Sequence, residues 1–224
     1  MSNEVAGRAA GWPGAVVRPL VIVVSAPSGA GKTTLSQRLL ADHPRMVYSV
    51  SCTTRVPRNG ETAGRSYHFL SAQEFAQRLE RGEFLEHAEV HGYHYGTLRE
   101  PVAAALAAGR DVLMDIDVQG AAQLREYADS APEGDPIRRG FVEVFVVPPS
   151  RDVLLQRLTG RGTESSDVIA RRMRNAEQEL RQWTRYQYLI VNDRLEEAYA
   201  QLRAIVAAEH CRVGPYVDGA GAGG

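Results

Sequence analysis

The stretch Ser25-Ala26-Pro27-Ser28-Gly29-Ala30-Gly31-Lys32-Thr33-Thr34 combines the residue types that hold a phosphate: glycines, a lysine and hydroxyls at its end. Gly29 and Gly31 let the backbone curl until several N–H groups converge on one phosphate, and a helix starting at the same point adds positive potential. Lys32 then reaches the outer phosphates, and the Thr33 hydroxyl can ligate Mg2+. Ala26 stands where the first glycine of a P-loop usually does, and alanine fits there at negative φ. The plain alternative is a strand-to-helix turn that uses Gly and Pro for geometry alone. Context favours phosphate: the aliphatics Leu20 to Val24 precede the loop, and a helical pattern with Leu35, Leu39 and Leu40 follows it. The expected ligand is a nucleotide.

Side chains suited to recognition recur further along. Arg55 and Arg58 bracket Val56-Pro57, and arginine forks match a phosphate dianion, with tyrosine hydroxyls as neutral donors. Alone the pair reads as a solvated basic turn; beside a phosphate loop it reads as a second anion site. Asp115 ends the run Val112-Leu113-Met114, placing a carboxylate at the carboxyl edge of a sheet, where α/β proteins bind ligands. Arg171, Arg172 and Arg174 could be no more than the wet face of a helix. His87, His91 and His94 invite a zinc reading, but on an extended strand residues four apart lie roughly 13 Å from each other, too far to share an ion without a hairpin. Cys52 reads as a small buried hydrophobe.

These residues need a scaffold, and the patterning supplies one. A chain of 224 residues can bury a sizeable core as one α/β domain with insertions. Its 26 basic and 27 acidic residues nearly balance, so no global field draws it to nucleic acid or anionic lipid. Apolar runs are strand-length, no signal core opens the chain, and Cys52 and Cys211 form no metal or redox spacing, so a cytoplasmic location is expected. Residues 1–18 read as a mobile leader and the Gly/Ala tail, 213–224, as disordered. Strands are expected at Leu20–Ser25, Met46–Val50, Val112–Met114, Phe141–Val147 and Tyr188–Val191. The helical patterns between them imply a parallel sheet covered on both faces. Ser51 to Leu98 breaks that rhythm and reads as a small mixed insertion, with a helix over Ala72–Arg81 and a hairpin turning at His91-Gly92. Ala128–Gly140 reads as an exposed loop. A helix near Asp167–Trp183 carries the apolar stripe Ile169, Met173, Ala176, Leu180 and Trp183, and a last one covers Leu195–Glu209.

Further motifs follow in order: Ser51-Cys52-Thr53-Thr54-Arg55-Val56-Pro57-Arg58, Gly64-Arg65-Ser66-Tyr67-His68-Phe69, Phe84-Leu85-Glu86-His87-Ala88-Glu89, Tyr95-Gly96-Thr97, Asp115-Ile116-Asp117-Val118-Gln119-Gly120, Pro148-Pro149-Ser150, Gly160-Arg161-Gly162 and Ile190-Val191-Asn192-Asp193. With the P-loop they closely resemble the guanylate kinases, over about Pro19 to Arg212. The resemblance implies a P-loop kinase fold: a five-stranded parallel core, residues 19–50 and 99–212, with a GMP-binding insertion at 51–98 and a lid at about 161–167 that closes with it over both nucleotides. It implies phosphoryl transfer from MgATP to GMP. Arg55 and Arg58 with Tyr67 and Tyr95 match the ligands of the GMP phosphate. Glu86 matches the residue that reads guanine, with Ser51, Thr97 and Asp117 completing the pocket. Residues 26–34 match the ATP loop, Asp115 an acidic residue near Mg2+, reached through water, and Thr33 its direct ligand. Arg157, Arg161 and Arg172 match lid arginines around the donor, with Lys32, Arg55, Arg161 and Arg172 as the catalytic set, and Asn192 matches a contact to the donor adenine. Implied partners are ATP and GMP, not nucleic acid or membrane, and a homo-oligomer is allowed.

The physics of the base agrees. Guanine presents N1–H and an exocyclic NH2 side by side, and one carboxylate accepts both, whereas adenine offers an acceptor there. A buried Glu86 left unpaired by the wrong base is costly. Two rival readings are a silent interaction module of the same fold, and a P-loop kinase for another phosphorylated acceptor. The first would have little use for Lys32, Thr33, Asp115 and Arg161 together; the second gives no reason for Glu86, Ser51 and Thr97.

Overall fold

The computed structural model describes residues 18–90, 92–160 and 165–213. The leader up to residue 17, the turn residue His91, Arg161 with the lid through residue 164, and the tail from residue 214 lie outside the described residues. In chain order the elements are β1 (Val21–Ser25), α1 (Lys32–Asp42), β2 (Val47–Tyr48), β3 (Cys52–Thr53), β4 (His68–Phe69), α2 (Ala72–Glu80), β5 (Phe84–Val90) and β6 (Tyr93–Leu98). There follow α3 (Arg99–Ala107), β7 (Val112–Asp115), α4 (Val118–Ser130), α5 (Pro136–Gly140), β8 (Phe141–Val147), α6 (Arg151–Thr159), α7 (Ser166–Leu180), β9 (Tyr188–Val191) and α8 (Leu195–His210).

The main sheet has five strands in the order β2-β7-β1-β8-β9, all parallel. Every residue of β1 is buried, as expected of a central strand covered on both faces. Its side chains alternate: Ile22 and Val24 join Leu35, Leu39, Leu202 and Val206 beneath α1 and α8, while Val21 and Val23 join Leu106, Met114, Leu124 and Ile137 beneath α3, α4 and α5. Period two in the strand thus builds two cores from one run of aliphatics. The register sets Val24 beside Asp115 on one side and Val144 on the other, so the loop after β1 opens between two neighbouring strand ends. Ligands of open α/β sheets bind in that crevice.

A second sheet, ordered β4-β3-β6-β5, lies wholly between Cys52 and Leu98. Its own core is small: Cys52, Phe75 and Phe84, with the two phenyl rings stacked at 4.4 Å. Burial pushes the Cys52 thiol up to about 11, so it packs as a hydrophobe rather than acting as a nucleophile. Helix α2 starts on a full capping box, Ser71 with Glu74.

Three expectations change. Residues 128–140 are not an exposed loop: α4 runs through Ser130, and α5 starts at Pro136 with the Asp135 carboxylate accepting from the N–H groups of Ile137 and Arg138 at 2.8 and 3.0 Å. Asp followed by Pro is a helix start signal, and Ile137, 1% exposed, anchors the short helix in the core. The stripe on α7 ends at Leu180; Trp183 belongs to a separate turn and is 48% exposed, because the helical period that would have turned it inward stops first. The strand expected at Met46–Val50 pairs only over Val47–Tyr48, at the sheet edge.

Candidate active site

The phosphate loop is shaped by two left-handed glycines, Gly29 at φ 91° and Gly31 at φ 94°. Helix α1 begins at Gly31 with no side-chain cap and no acidic residue in its first turn, so its leading N–H groups are left for an outside acceptor. An anion is the natural one. Asn192, 5% exposed at the end of β9, braces the loop from below by donating Nδ2–H to the Ala30 carbonyl at 2.7 Å. A Cβ on Gly31 would stand 2.2 Å from that same nitrogen, so glycine is required there twice over. Arg157 donates to the Asn192 carbonyl at 2.9 Å, and its Nη1 is buried without a partner among the described residues. Asn192, matched to adenine on sequence, thus commits its amide to the loop. Replacing it by alanine is expected to cost about 1–3 kcal/mol by stranding the Ala30 carbonyl. Thermal melting checks this.

Pro27 is buried beneath the loop and Ala26 packs on the core, whereas Ser28, Thr33 and Thr34 are exposed on its rim. Lys32 lies across the mouth of β7: Nζ forms an ion pair with Asp115 Oδ1 and donates to the Ile116 carbonyl at 3.2 Å. From α7, Arg172 Nη2 donates to Ser28 Oγ at 2.8 Å, and Glu179 stands near the Ser28 backbone. Burial pushes the Glu179 carboxyl upward, as does nearby Asp117, with Lys32 opposing. Glu179 carried no recognisable signal in the sequence, since an acid on a mixed helix reads as surface.

Beside the loop is a cavity of about 300 Å3 whose walls include Ser51, Tyr67, Glu86, Tyr95, Asp115 and Asp117. Glu86, on β5, is 5% exposed. It accepts from the Thr97 hydroxyl at 2.6 Å across the β5–β6 pair, and Thr97 stands 3.4 Å from the Ser51 hydroxyl. Burial lifts the Glu86 carboxyl above its ordinary range; Thr97 opposes that, and the charge of Asp117 adds to it. Asp117 caps α4, accepting the N–H groups of Gln119 and Gly120 at 3.0 and 2.8 Å. Gly120 is a site residue that sequence reasoning missed: a Cβ there would lie 2.6 Å from Glu86 Oε2. A glycine in the first turn of a helix gives no hint of such an approach.

At the far wall, Arg55 is 7% exposed, its guanidinium carbon 5.5 Å from the centre of the Tyr67 ring, and Tyr67 meets Tyr95 edge-on at 5.8 Å. The Arg55 guanidinium also interacts with the nearby Tyr95 side chain. Burial raises the Tyr67 hydroxyl above its ordinary pKa, so it stays a neutral donor. Arg58, whose side chain is exposed, sits on the same turn. The structure therefore gathers Ser51, Tyr67, Glu86, Tyr95, Asp115 and Asp117 around one cavity, with Arg55 against Tyr67 and Thr97 against Glu86, and sets Lys32, Arg157, Arg172 and Asn192 about the loop. His87 and His94 sit on the paired strands β5 and β6.

The family model described as guanylate kinase matches residues 18–209. A guanylate kinase of Nitratidesulfovibrio vulgaris is 49% identical over 204 residues, covering 89% of this chain and 93% of that protein. One from Dechloromonas aromatica is 50% identical over 188 residues, covering 84% and 88%. A crystal structure of guanylate kinase from Anaplasma phagocytophilum superposes with a TM-score of 0.67 at 31% identity, covering 88% of this chain and 89% of that one.

Proposed function

From the premise that this chain belongs to the guanylate kinase family, we propose how its residues carry ATP-dependent phosphorylation of GMP to GDP. The observation that carries the reading is the position of Asp115, which pairs with the phosphate-loop lysine and at the same time lines the cavity floored by Glu86. Two sites sharing one wall can present a donor phosphate to an acceptor phosphate in line.

ATP lays its β- and γ-phosphates on the N–H groups of residues 29–33, and Lys32 leaves Asp115 to follow the γ-phosphate. Arg172 and Arg157 bring positive charge from α7 and α6, with Arg161 expected beside them. GMP places guanine against Glu86, with Ser51, Thr97 and Asp117 around it, and its phosphate against Arg55, Arg58, Tyr67 and Tyr95. The acceptor phosphate oxygen is the nucleophile, so no side chain needs to form a bond. The protein's work is alignment and neutralisation of charge.

Thr33 and Asp115 fit a hard divalent cation: a hydroxyl and a carboxylate are oxygen donors beside the phosphate loop, and Mg2+ commonly takes few protein ligands besides water and phosphate oxygens. Bound there with ATP, it would neutralise charge developing between the β- and γ-phosphates. Both cysteines are free, which suits the cytosol. Among the described residues no helix is long and apolar enough to cross a membrane.

The test is ADP release from MgATP with GMP, AMP, CMP and UMP offered in parallel. Turnover is expected with GMP alone. Comparable turnover with AMP would overturn the assignment of Glu86.

A further inference from the structure

The segment between β3 and β4 holds a carboxylate that the reading above leaves without a task. Glu61 reaches back across its turn: Oε1 lies 2.7 Å from Arg55 Nη2, and Oε2 accepts the Arg58 backbone N–H at 2.8 Å. The Glu61 N–H closes the turn from the other side, donating to the Arg58 carbonyl at 3.1 Å. Arg55 is also fastened through Nη1–H to the Val56 carbonyl at 2.8 Å. An acid at the mouth of an anion site repels the ligand, so its presence there asks for a compensating role.

We propose that Glu61 is the positioning residue of the acceptor-phosphate site, aiming the Arg55 fork and fixing Arg58 beside it before the acceptor arrives. The inference rests on the assignment of Arg55 and Arg58 to that phosphate. A guanidinium carries five N–H donors; Glu61 and the Val56 carbonyl engage one each, which leaves three for the dianion. Rotamer freedom of the arginine is then lost on folding and not on binding. The Arg55 guanidinium, seconded by the Arg58 N–H, holds the Glu61 carboxyl below the usual carboxylate range, so the clamp stays ionised at neutral pH.

Charge and positioning predict opposite signs, which makes the idea testable. Glu61→Gln removes a negative charge from an anion site; if charge alone mattered, KM for GMP would fall. An amide has one acceptor oxygen where the carboxylate used two, so either Arg55 or the Arg58 N–H then faces an NH2 group. Positioning therefore predicts that KM for GMP rises about tenfold, on the scale of a lost charge-assisted hydrogen bond, while KM for ATP moves less than about twofold. Inhibition by guanosine, which lacks the phosphate, should be unchanged. Glu61→Asp keeps the charge but not the reach, and should resemble Gln. A KM for GMP that is unchanged or lower, a guanosine affinity that weakens in step with GMP, or an Asp variant like wild type would each overturn the proposal. Arg55→Ala, measured alongside, separates the levels: if it spares GMP, the underlying site assignment fails instead.

Discussion

Lys32→Ala is expected to lower kcat by about a thousandfold, since one preorganised cationic donor at a transferring phosphoryl group is worth that order. The ion pair with Asp115 adds a second consequence. Lys32 and Asp115 have side chains only 20% and 14% exposed, so removing the lysine leaves a mostly buried, unpaired carboxylate where the triphosphate must lie. ATP binding should weaken along with catalysis. In Lys32→Ala/Asp115→Asn the repulsion is gone, but so is a carboxylate assigned to Mg2+, so kcat should stay low. Steady-state kinetics with a thermal melt for each variant decide it, and a single variant retaining kcat within tenfold of wild type would remove Lys32 from the machinery.

Glu86→Gln should weaken GMP by about 1–3 kcal/mol, because the amide turns an NH2 toward one of two guanine donors, and should leave KM for ATP unchanged. It should also abolish part of the pH dependence. In the free protein the Glu86 carboxyl is raised by burial, whereas guanine needs it ionised. KM for GMP should therefore rise as pH falls through that raised pKa in wild type; the GMP phosphate titrates too, so the variant supplies the reference curve. Stability carries the opposite sign. A carboxyl raised on folding binds its proton more readily in the native state, so its contribution is lost as pH climbs from the unfolded to the folded pKa. Glu86→Gln should thus melt higher than wild type at neutral pH, with no gain in acid below the unfolded value. Equal loss of ATP and GMP affinity, or a lower melting point at neutral pH, would mean that Glu86 is chiefly structural.

The helix start at Asp135-Pro136 shows what local reading can pass over. Asp, Pro and Gly within a few residues look like loop punctuation, yet the same Asp and Pro cap and open a helix when an Ile follows that the core can take. Trp183 shows the reverse. A periodic stripe can be extended on paper past the residue where the helix actually stops. Glu143 is the clearest case: an acid inside an aliphatic strand, 2% exposed, it is held by both nitrogens of the Arg125 fork at 2.8 and 2.6 Å. Nothing near either residue in the chain announces the other.

By itself the sequence determined the elements and the donor chemistry. Five aliphatics, two glycines and Lys-Thr-Thr specify a buried strand, an uncapped helix start and a cation within a few residues of one another, and local chemistry of that kind needs no distant partner to be read. The ordered motifs likewise carried the family. Tertiary structure decided which groups are already engaged: Asn192 under the Ala30 carbonyl, Lys32 on Asp115, Glu86 against Gly120, Glu61 on Arg55. The reason is physical. A hydrogen bond or a charge pair depends on separations of about 3 Å, and chain folding brings such groups together from any distance along the sequence, with a sign that depends on burial each residue acquires only in the assembled sheet and its covering helices.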